Sequence, residues 1–478
     1  MGQDVSKTLL LALFLALSGC NSKASGSGTG DLDDSCSALA AADAVPAGGI
    51  FTITKGLSSR LEASNKDSFD MAVAEINLGC GTIGTTTGGL PLAGLARDGQ
   101  DDPSLTDTIT RELAAANVAF IVGAGGTAPT ETSIMVAASD NIPYGMYFAS
   151  GNELTRCTPA QLADPAIEKV ASPIYADGKC WDNGGISFRI EPTSSVWGAL
   201  AGTYAASADL FASARNVAVL YRDDAVSPPM IAGFKTTFEG AGDNRAVASE
   251  LSFQTSALQA DFVDKIKTLM SSNPDLIVLI PRVNHVRFFF EAWALLADPG
   301  LWAPATKPAN FDSVPFLIVQ STKDNYSDIS PAALAIMVAR AVGVQPAWDD
   351  SGTGFQRWLA AYQSFVPGGS INIHTQMRTY DAVMLLALAM TKAGSTDSDA
   401  IKAELLAVAN PPGEVIYPGE FARARQLLML GADIDYEGAS GPLDLLENGD
   451  VATSFFEAWG LNTDGSPTTL QLMSPNQN

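Results

Sequence analysis

Short apolar runs alternate with amphipathic stretches along most of the chain, and this alternation predicts the fold. Residues 118–126, VAFIVGAGG, are fully apolar and end in glycines, which is typical of a central parallel strand. Residues 65–77, NKDSFDMAVAEIN, place Phe69, Ala72 and Ile76 on one helical face. Strand and helix follow each other strictly, so we predict parallel sheets with helices on both faces.

The predicted elements form two successive series. The first has strands at 48–54, 90–98, 118–126 and 142–148, with helices at 65–77, 103–117 and 130–141. After a crossing segment at 184–195, the second has strands at 216–224, 246–253, 275–282 and 314–321, with helices at 196–207, 228–242, 260–272 and 285–297. A long apolar helix at 379–393 carries Asp381, which favours core packing over a membrane span. The sequence therefore predicts two similar α/β units in tandem.

Length and charge narrow the function. A chain of 478 residues suggests two or three domains. Its 28 Lys and Arg against 52 Asp and Glu give a net charge of −24. Such a balance argues against a nucleic-acid partner and disfavours direct adsorption of the folded part to anionic lipid.

The N-terminus has the pattern of an export signal. Residues 9–17, LLLALFLAL, are too short to span a bilayer but fit a secretory signal core. They lead to Leu17-Ser18-Gly19-Cys20, which resembles the lipobox of bacterial lipoproteins. That resemblance implies a signal peptide at 1–20, a lipid on Cys20 and export to the periplasm. Asn21 favours the outer membrane by the same resemblance. The Gly/Ser-rich residues that follow predict a flexible linker over 21–44.

Four further cysteines are an even number in an exported chain, which favours two disulfides. We prefer Cys36–Cys80 and Cys157–Cys180, since the second pair closes an excursion that contains Pro and Asp. Three pairings are open to four cysteines.

Several segments, in their order and spacing, resemble the type I periplasmic binding proteins, in particular the leucine/isoleucine/valine-binding branch that feeds ABC importers. They are RDGQDDP (97–103), VAFIVGAGGTAPTETSIMVAASDNIPYGMYFASGNELT (118–155), SFRIEPTSS (187–195), SALQADFVDKIKTLMSSNPDLIVLI (256–280) and YDAVMLLALAM (380–390). The resemblance spans about residues 45–440. It implies two Rossmann-like lobes with parallel sheets, joined by hinge crossovers. We assign lobe 1 to 45–193 plus 346–432 and lobe 2 to 194–345 plus 433–478.

Two turns are predicted to form one wall of a ligand cleft. In open parallel sheets, ligands bind outside the carboxyl ends of strands, where helix N-termini offer free N–H groups. The segments GAGGTAPT at 123–130 and FASGNELT at 148–155 each follow a predicted strand. Thr127 and Thr130 are expected to cap the helix after the first turn.

The family resemblance assigns the ligand-binding positions. By that resemblance Thr127 matches a ligand-contacting serine, and Phe148 and Ser150, with Ala149 between them, match positions that hold an amino acid's carboxylate. The remaining matches are a lid position at Leu61, two positions often occupied by tyrosine at Val226 and Arg282, and the position of the ammonium-pairing carboxylate at Ser321.

Differences from the family pattern bear on the ligand. Ser321 supplies no charge for an ammonium group, whose desolvation needs an opposite charge or several acceptors. Phe148 and Leu61 make the cleft bulkier and more apolar. Arg282, if it faces inward, favours an acidic or carbonyl-rich ligand. An amino-acid-like ligand and a more apolar one, such as a lipid or sterol, both remain open.

The predicted function is that of a tethered solute-binding lipoprotein, which captures a small ligand by hinge closure and passes it to a membrane permease or other transporter component. The alternative is a ligand sensor or regulator that acts on a protein partner. The two histidines, His285 and His374, lack a nucleophile elbow or a metal-spaced partner. We therefore expect no enzyme activity, metal or cofactor.

Overall fold

The computed structural model describes residues 43–55, 63–85, 88–174, 176–369, 373–452 and 454–473. The predicted signal peptide, nearly all of the predicted linker, and the predicted positions Cys20, Cys36 and Leu61 lie outside these ranges.

The strands, in chain order, begin with those of the N-terminal half: β1 Val45–Phe51, β2 Gly84–Thr85, β3 Gly88–Gly89, β4 Leu92–Asp98, β5 Ile121–Val122, β6 Tyr144–Met146, β7 Glu168–Val170, β8 Lys179–Trp181 and β9 Ser187–Arg189. They continue with β10 Asn216–Arg222, β11 Ala246–Phe253, β12 Leu276–Ile280, β13 Phe316–Val319, β14 Ala341–Pro346, β15 Glu414–Ile416, β16 Ile434–Gly438, β17 Gly441–Pro442, β18 Phe456–Leu461 and β19 Pro467–Met473.

The α-helices follow the same order: α1 Asn65–Leu78, α2 Pro103–Ala115, α3 Thr127–Ser139, α4 Pro159–Ala163, α5 Ser194–Ser207, α6 Ser227–Gly240, α7 Gln259–Met270, α8 Val283–Leu295, α9 Pro331–Arg340, α10 Thr353–Phe365, α11 Ile373–Ala393, α12 Ser398–Ala409 and α13 Phe421–Met429. Local chemistry explains some helix starts. At α2, the Asp102 side chain accepts hydrogen bonds from the N–H groups of Ser104 (2.8 Å) and Leu105 (3.1 Å), and Pro103 occupies the first helical position.

The first sheet has the strand order β4-β1-β5-β6-β9, and all its neighbours are parallel. Successive residues point to opposite faces, so Val122 enters the core beneath α1 and α11 while Ile121 enters the core beneath α2 and α3. This sheet and its covering helices form the first lobe. Because its strands are parallel, their carboxyl ends meet at one edge, and the turns at 123–130 and 147–155 lie there together.

The second sheet has the order β11-β10-β12-β13-β14-β18-β19. Its first five strands are parallel, and β18 and β19 add antiparallel at one edge. In β10, Val217 and Val219 face one core and Ala218 and Leu220 face the other. Both faces are therefore buried, as in a parallel sheet covered by helices, and this sheet forms the second lobe.

The division between the lobes differs from the prediction near the C-terminus. We assigned residues 433–478 to lobe 2, but β16 and the buried side chains up to Val451 pack in the core of the first lobe. The fully buried Asp381 of α11 holds this segment, because its carboxylate accepts hydrogen bonds from the Tyr436 hydroxyl and the Ala439 and Ser440 N–H groups. Only β18 and β19 of the assigned stretch join the second sheet. The remaining boundaries stay a prediction.

Helices α5 and α6 pack unusually closely in the second lobe. A Cβ atom on Gly198 would overlap the Met230 carbonyl oxygen, and one on Gly233 would overlap the Ser195 carbonyl oxygen. Glycine at these positions lets the two backbones touch, which fixes the N-terminus of α5. That N-terminus follows directly from β9, so the contact also fixes where the first crossing between the lobes ends.

The disulfide Cys157–Cys180 is present, with its Cα atoms 5.1 Å apart, as predicted. It closes the excursion that carries α4, β7 and β8. Cys80 is also disulfide-bonded, and its preferred partner Cys36 lies outside the described residues.

A buried carboxyl group predicts how stability depends on pH. Glu75 accepts hydrogen bonds from the Tyr380 hydroxyl and from the Gly419 and Phe421 N–H groups, and so joins α1 to α11 and α13. Burial raises the pKa of Glu75 from 4.5 to about 6, against the lowering effect of these bonds. A raised pKa stabilises the fold below pH 4.5, and this contribution is lost as the pH rises through about 6.

We therefore expect the free energy of unfolding of Glu75→Gln to rise relative to wild type by about 2 kcal/mol between about pH 4 and about pH 8. Urea titrations across this range measure the difference. Glu112→Gln removes an exposed carboxyl from α2 and controls for net charge. Parallel profiles for wild type and Glu75→Gln would contradict the prediction.

Candidate functional site

The turn after β5 brings Thr127 to the edge of the first sheet. The Thr130 hydroxyl accepts a hydrogen bond from the Ala124 N–H (3.1 Å) and donates one to the Gly125 carbonyl (3.2 Å), so this side chain shapes the turn from within. Gly126 is the cap residue of α3, and no side chain caps it, so the predicted capping by Thr127 and Thr130 is wrong. The Thr127 hydroxyl instead accepts from the Gly151 N–H (3.2 Å). Thr127 therefore joins the two predicted turns.

The second turn touches the other lobe. The Ser150 carbonyl accepts hydrogen bonds from the N–H (2.7 Å) and hydroxyl (2.8 Å) of Ser194, the first residue of α5. Asn152 forms a reciprocal pair with Ser195, donating to its hydroxyl (2.8 Å) and accepting from its N–H (3.0 Å). The strand therefore stops at small and polar residues where the chain contacts the start of the second lobe.

The predicted residues beside Ser150 have different surroundings. Ala149 is fully buried in the core beneath α2 and α3. Phe148 is half-buried and packs against the other core of the first lobe. Ser150 is 7% exposed, and its hydroxyl accepts a long hydrogen bond from Ser194 (3.2 Å). The Ala149 side chain is thus turned away from the edge at which Thr127 lies.

Arg189 holds this turn in place, and the sequence analysis missed it. Its guanidinium is fully buried and donates to Asp450 from Nε (2.8 Å) and Nη2 (2.6 Å). Nη1 donates to the Gly151 carbonyl (2.7 Å), and Nη2 to the Thr155 hydroxyl (2.6 Å). An arginine in the middle of the apolar run ISFRI is the signal that marks it, since a buried charge needs partners.

Glu153 is the second residue that the sequence analysis missed. Its side chain is buried, yet no other described residue donates a hydrogen bond to either carboxylate oxygen. Burial raises the pKa of Glu153, its own backbone N–H and the Arg189 cation lower it, and the carboxylates of Glu131 and Asp224 raise it. Asp224 belongs to the second lobe, so charged groups of both lobes act on Glu153.

The facing edge of the second lobe carries two arginines at neighbouring strand ends. Arg222 ends β10, donates to the Pro281 carbonyl (3.1 Å) and pairs with Asp224 (2.8 Å). Burial lowers the pKa of Arg222 to about 10, Asp224 raises it, and the nearby Arg282 cation lowers it. Arg222 therefore has an ion-pair partner within its own lobe, although its Nε, like that of Arg282, makes no well-aligned hydrogen bond to a described residue.

Arg282 and Ser321 have unused polar atoms. Arg282 is half-buried at the start of α8, and its Nε atom is buried without a hydrogen-bond partner in the part of the chain that the structure describes. Its N–H group donates to Nδ1 of His285 (3.2 Å), whose Nε2 donates to the Thr255 carbonyl (3.0 Å). Burial lowers the pKa of His285 to about 4, so this ring is a neutral support for the turn. The Ser321 hydroxyl, after β13, is likewise buried and unpaired.

Four of the predicted positions lie in two pairs, one on each lobe. Thr127 and Ser150 lie on adjoining turns of the first lobe, and Arg282 and Ser321 follow neighbouring strands of the second. Val226 is half-buried and packs against the core beneath α5 and α6. The side chain of His374 is not among those described.

Among the described residues, no group of three or more His, Cys, Asp or Glu side chains is placed to hold a metal ion. Within the same part of the chain, every helix is too short or too polar to cross a membrane.

The sequence and the structure both resemble known proteins over most of the chain. The profile of a family described as periplasmic binding protein matches residues 45–426. No curated protein matches the chain. A leucine-binding protein, LivK, from Thermotoga maritima has a similar structure, with a TM-score of 0.62 and 16% identity over 91% of this chain and 100% of that chain.

Two similar structures were solved with ligands. A solute-binding protein of an ABC transporter from R. palustris, in complex with benzoate, has a TM-score of 0.61 and 15% identity over 90% of this chain and 97% of that chain. The branched-chain amino acid substrate-binding protein LivJ from Streptococcus pneumoniae, in complex with isoleucine, has a TM-score of 0.59 and 14% identity over 90% and 99%. The predicted resemblance and fold class are confirmed.

The Arg189 contacts predict a large loss of stability on substitution. Arg189→Met leaves Asp450 buried without its cation, so we expect the free energy of unfolding to fall by about 3–5 kcal/mol. Denaturant titration measures the change. Arg111→Met, which breaks an exposed pair with Asp107 on α2, is the matched control and should change little.

Adding Asp450→Asn to Arg189→Met should restore part of the lost stability, because the unpaired charge is then removed. A single variant as stable as wild type, or a double variant less stable than the single one, would show that the pair does not organise this turn.

Proposed function

The chain belongs to the periplasmic binding protein family, and on that premise we propose that it captures a small ligand between its two lobes and passes it to a membrane transporter. The observation that carries this proposal is the pair of facing edges. Both place unpaired buried polar atoms at the carboxyl ends of their strands, in Glu153 on one side and in Arg282 and Ser321 on the other. Such atoms cost free energy unless something supplies their missing partners, and a ligand between the lobes would do so.

We propose that the ligand is a small organic acid. The unpaired Nε of Arg282 supports this, because a guanidinium binds a carboxylate with two parallel hydrogen bonds. The relatives solved with benzoate, 4-hydroxybenzoate and isoleucine each bind a molecule with a carboxyl group. The half-buried ring of Phe148 supports an apolar body on that acid. Of the two ligand classes left open by the sequence, these features favour an amino-acid-like or aromatic acid over a sterol.

We also propose that the protein is exported and anchored by a lipid on Cys20, with the outer membrane favoured. This rests on the apolar run at 9–17 and the four residues that precede the linker. We infer no catalytic step, since the features that support the proposal are those of a binding cleft.

Ligand binding is tested by thermal shift with benzoate, 4-hydroxybenzoate, isoleucine and 3-methylpentanoate. We expect at least one of these acids to stabilise the protein by about 2.7 kcal/mol at a hundredfold excess over its dissociation constant. Arg282→Met should abolish the shift, because it removes the guanidinium and leaves an apolar stem.

Arg215→Met, which removes a more exposed arginine of the same lobe, is the control and should retain the full shift. The proposed role of Arg282 is excluded if its Met variant binds the same acid with wild-type affinity, as measured by calorimetry.

The lipid anchor is tested by Cys20→Ala in a bacterial host that processes lipoproteins. We expect wild type in the membrane fraction with incorporated labelled palmitate, and the variant without label and outside that fraction. Ser22→Ala leaves the lipobox intact and controls for a substitution close to the anchor. Equal labelling of Cys20→Ala and wild type would rule out this anchor.

A further inference from the structure

Glu153 is an unusual group for a stable fold. Its side chain is only 6% exposed, and no other described residue donates a hydrogen bond to its carboxylate oxygens. A buried carboxylate is tolerated when a cation or several donors surround it, and it is costly otherwise. Its own backbone N–H and the Arg189 cation favour the charged form, but burial outweighs them and the pKa of Glu153 is raised.

The arginines around Glu153 already have other partners. Arg189 influences Glu153 electrostatically, but all three of its nitrogens already donate to Asp450, to the Gly151 carbonyl and to Thr155. Arg222 is paired with Asp224 in the same way. Glu153 therefore has no ion-pair partner of its own among the described residues.

The position of this carboxylate places it at the ligand edge. A Cβ atom added to Gly151 would overlap both Oε1 of Glu153 and Cγ2 of Thr127, so these two side chains meet over the Gly151 backbone. The same turn contacts the start of the second lobe through Ser150 and Asn152. Asp224, which follows β10 in the second lobe, lies close enough to Glu153 to raise its pKa.

We propose that Glu153 is the counter-ion for a cationic group of the ligand, an ammonium or amidinium, while Arg282 on the opposite lobe holds the ligand's acidic group. This inference rests on the proposed function and names its ligand class, a small zwitterion. The orientation is the reverse of the one that the family resemblance implies, in which the first lobe holds the carboxylate and the position of Ser321 pairs the ammonium. Ser321 has no charge, and Glu153 supplies the missing one from the other side.

The experiment uses pairs of acids that differ only in the cationic group: isoleucine with 3-methylpentanoate, and 4-(aminomethyl)benzoate with 4-methylbenzoate. Calorimetry on the full chain should show that wild type binds the ammonium-bearing member of at least one pair about tenfold to a hundredfold more tightly. Glu153→Gln keeps the side-chain shape and removes the charge, so it should lose this preference. Glu112→Gln, which removes an exposed carboxyl from α2 of the same lobe, is the matched control and should keep it.

A second readout separates ligand pairing from a structural role. Without ligand, Glu153→Gln should melt at the same temperature as wild type or higher, because it removes an unpaired buried charge; a structural carboxylate would give a lower melting temperature. Three outcomes overturn the inference: Glu153→Gln that keeps the preference, Glu153→Gln that melts lower without ligand, or wild type that binds the ammonium-free acids equally well or better.

The failure of the inference and of the proposed function are distinct. If wild type binds the ammonium-free acids and Glu153→Gln does not change this, the protein is an acid-binding receptor and Glu153 is not its counter-ion. If no member of either pair binds to wild type, the acid-binding function on which the inference rests is also excluded.

Discussion

The edge of the first lobe that carries Thr127 and Glu153 depends on one buried cation. Arg189 is the last residue of β9 in the first sheet, and its guanidinium donates to Asp450, which lies 261 positions further along the chain. The backbone of the same two segments pairs as well, since the Arg189 N–H donates to Gly449 and its carbonyl accepts from Val451. With Gly151 and Thr155 as further partners, the guanidinium fixes the turn at 149–155 from beneath. Without that support, the turn would have no reason to hold Glu153 in a buried position.

The edges of the two lobes differ in how their charged groups are paired. Arg222 forms an ion pair with Asp224, and His285 is kept neutral by burial, so the charges of these groups are balanced within the second lobe. Glu153 and Arg282 are the opposite case, because each has buried polar atoms and no ion-pair partner among the described residues. Unpaired buried groups of this kind are expected at binding sites, because a site that is preorganised for a ligand lowers the stability of the unliganded protein. The contrast between satisfied and unsatisfied charges separates support from function here.

Periodicity in the sequence was enough to predict most of the fold. The predicted strand at 246–253 coincides with β11, and the predicted helices of both lobes lie within a few residues of α1 to α3 and α5 to α8, whereas the short α4 was not predicted. The glycines at 123–126 were assigned to a strand that ends at Val122, because apolar character does not reveal where the backbone turns away from the sheet. Beyond residue 393 the strands are short and their alternation is weak, and so the assignment of 433–451 to lobe 2 failed.

The site was less predictable, for a physical reason. Thr127 and Ser150 follow strands, and topology alone brings their turns together. The roles of Arg189 and Glu153 depend on contacts with residues distant in the chain, and neither spacing nor residue type records which buried charges find partners. Each was visible in the sequence as a charge within an apolar or small-residue segment. The structure shows that Arg189 is satisfied by Asp450, Gly151 and Thr155, and that Glu153 receives no hydrogen bond from another described residue.

The position of the contacts between the lobes explains how binding and closure are joined. The hydrogen bonds from Ser194 and Ser195 to the Ser150 turn lie at the end of the crossing that follows β9. Contacts beside a hinge change little when the lobes rotate, whereas groups further from it separate. A ligand that bridges Glu153 and Arg282 would have full contact with both only when the lobes are closed, so its binding free energy would favour the closed state. The same unpaired charges that make the empty cleft costly would then drive its closure.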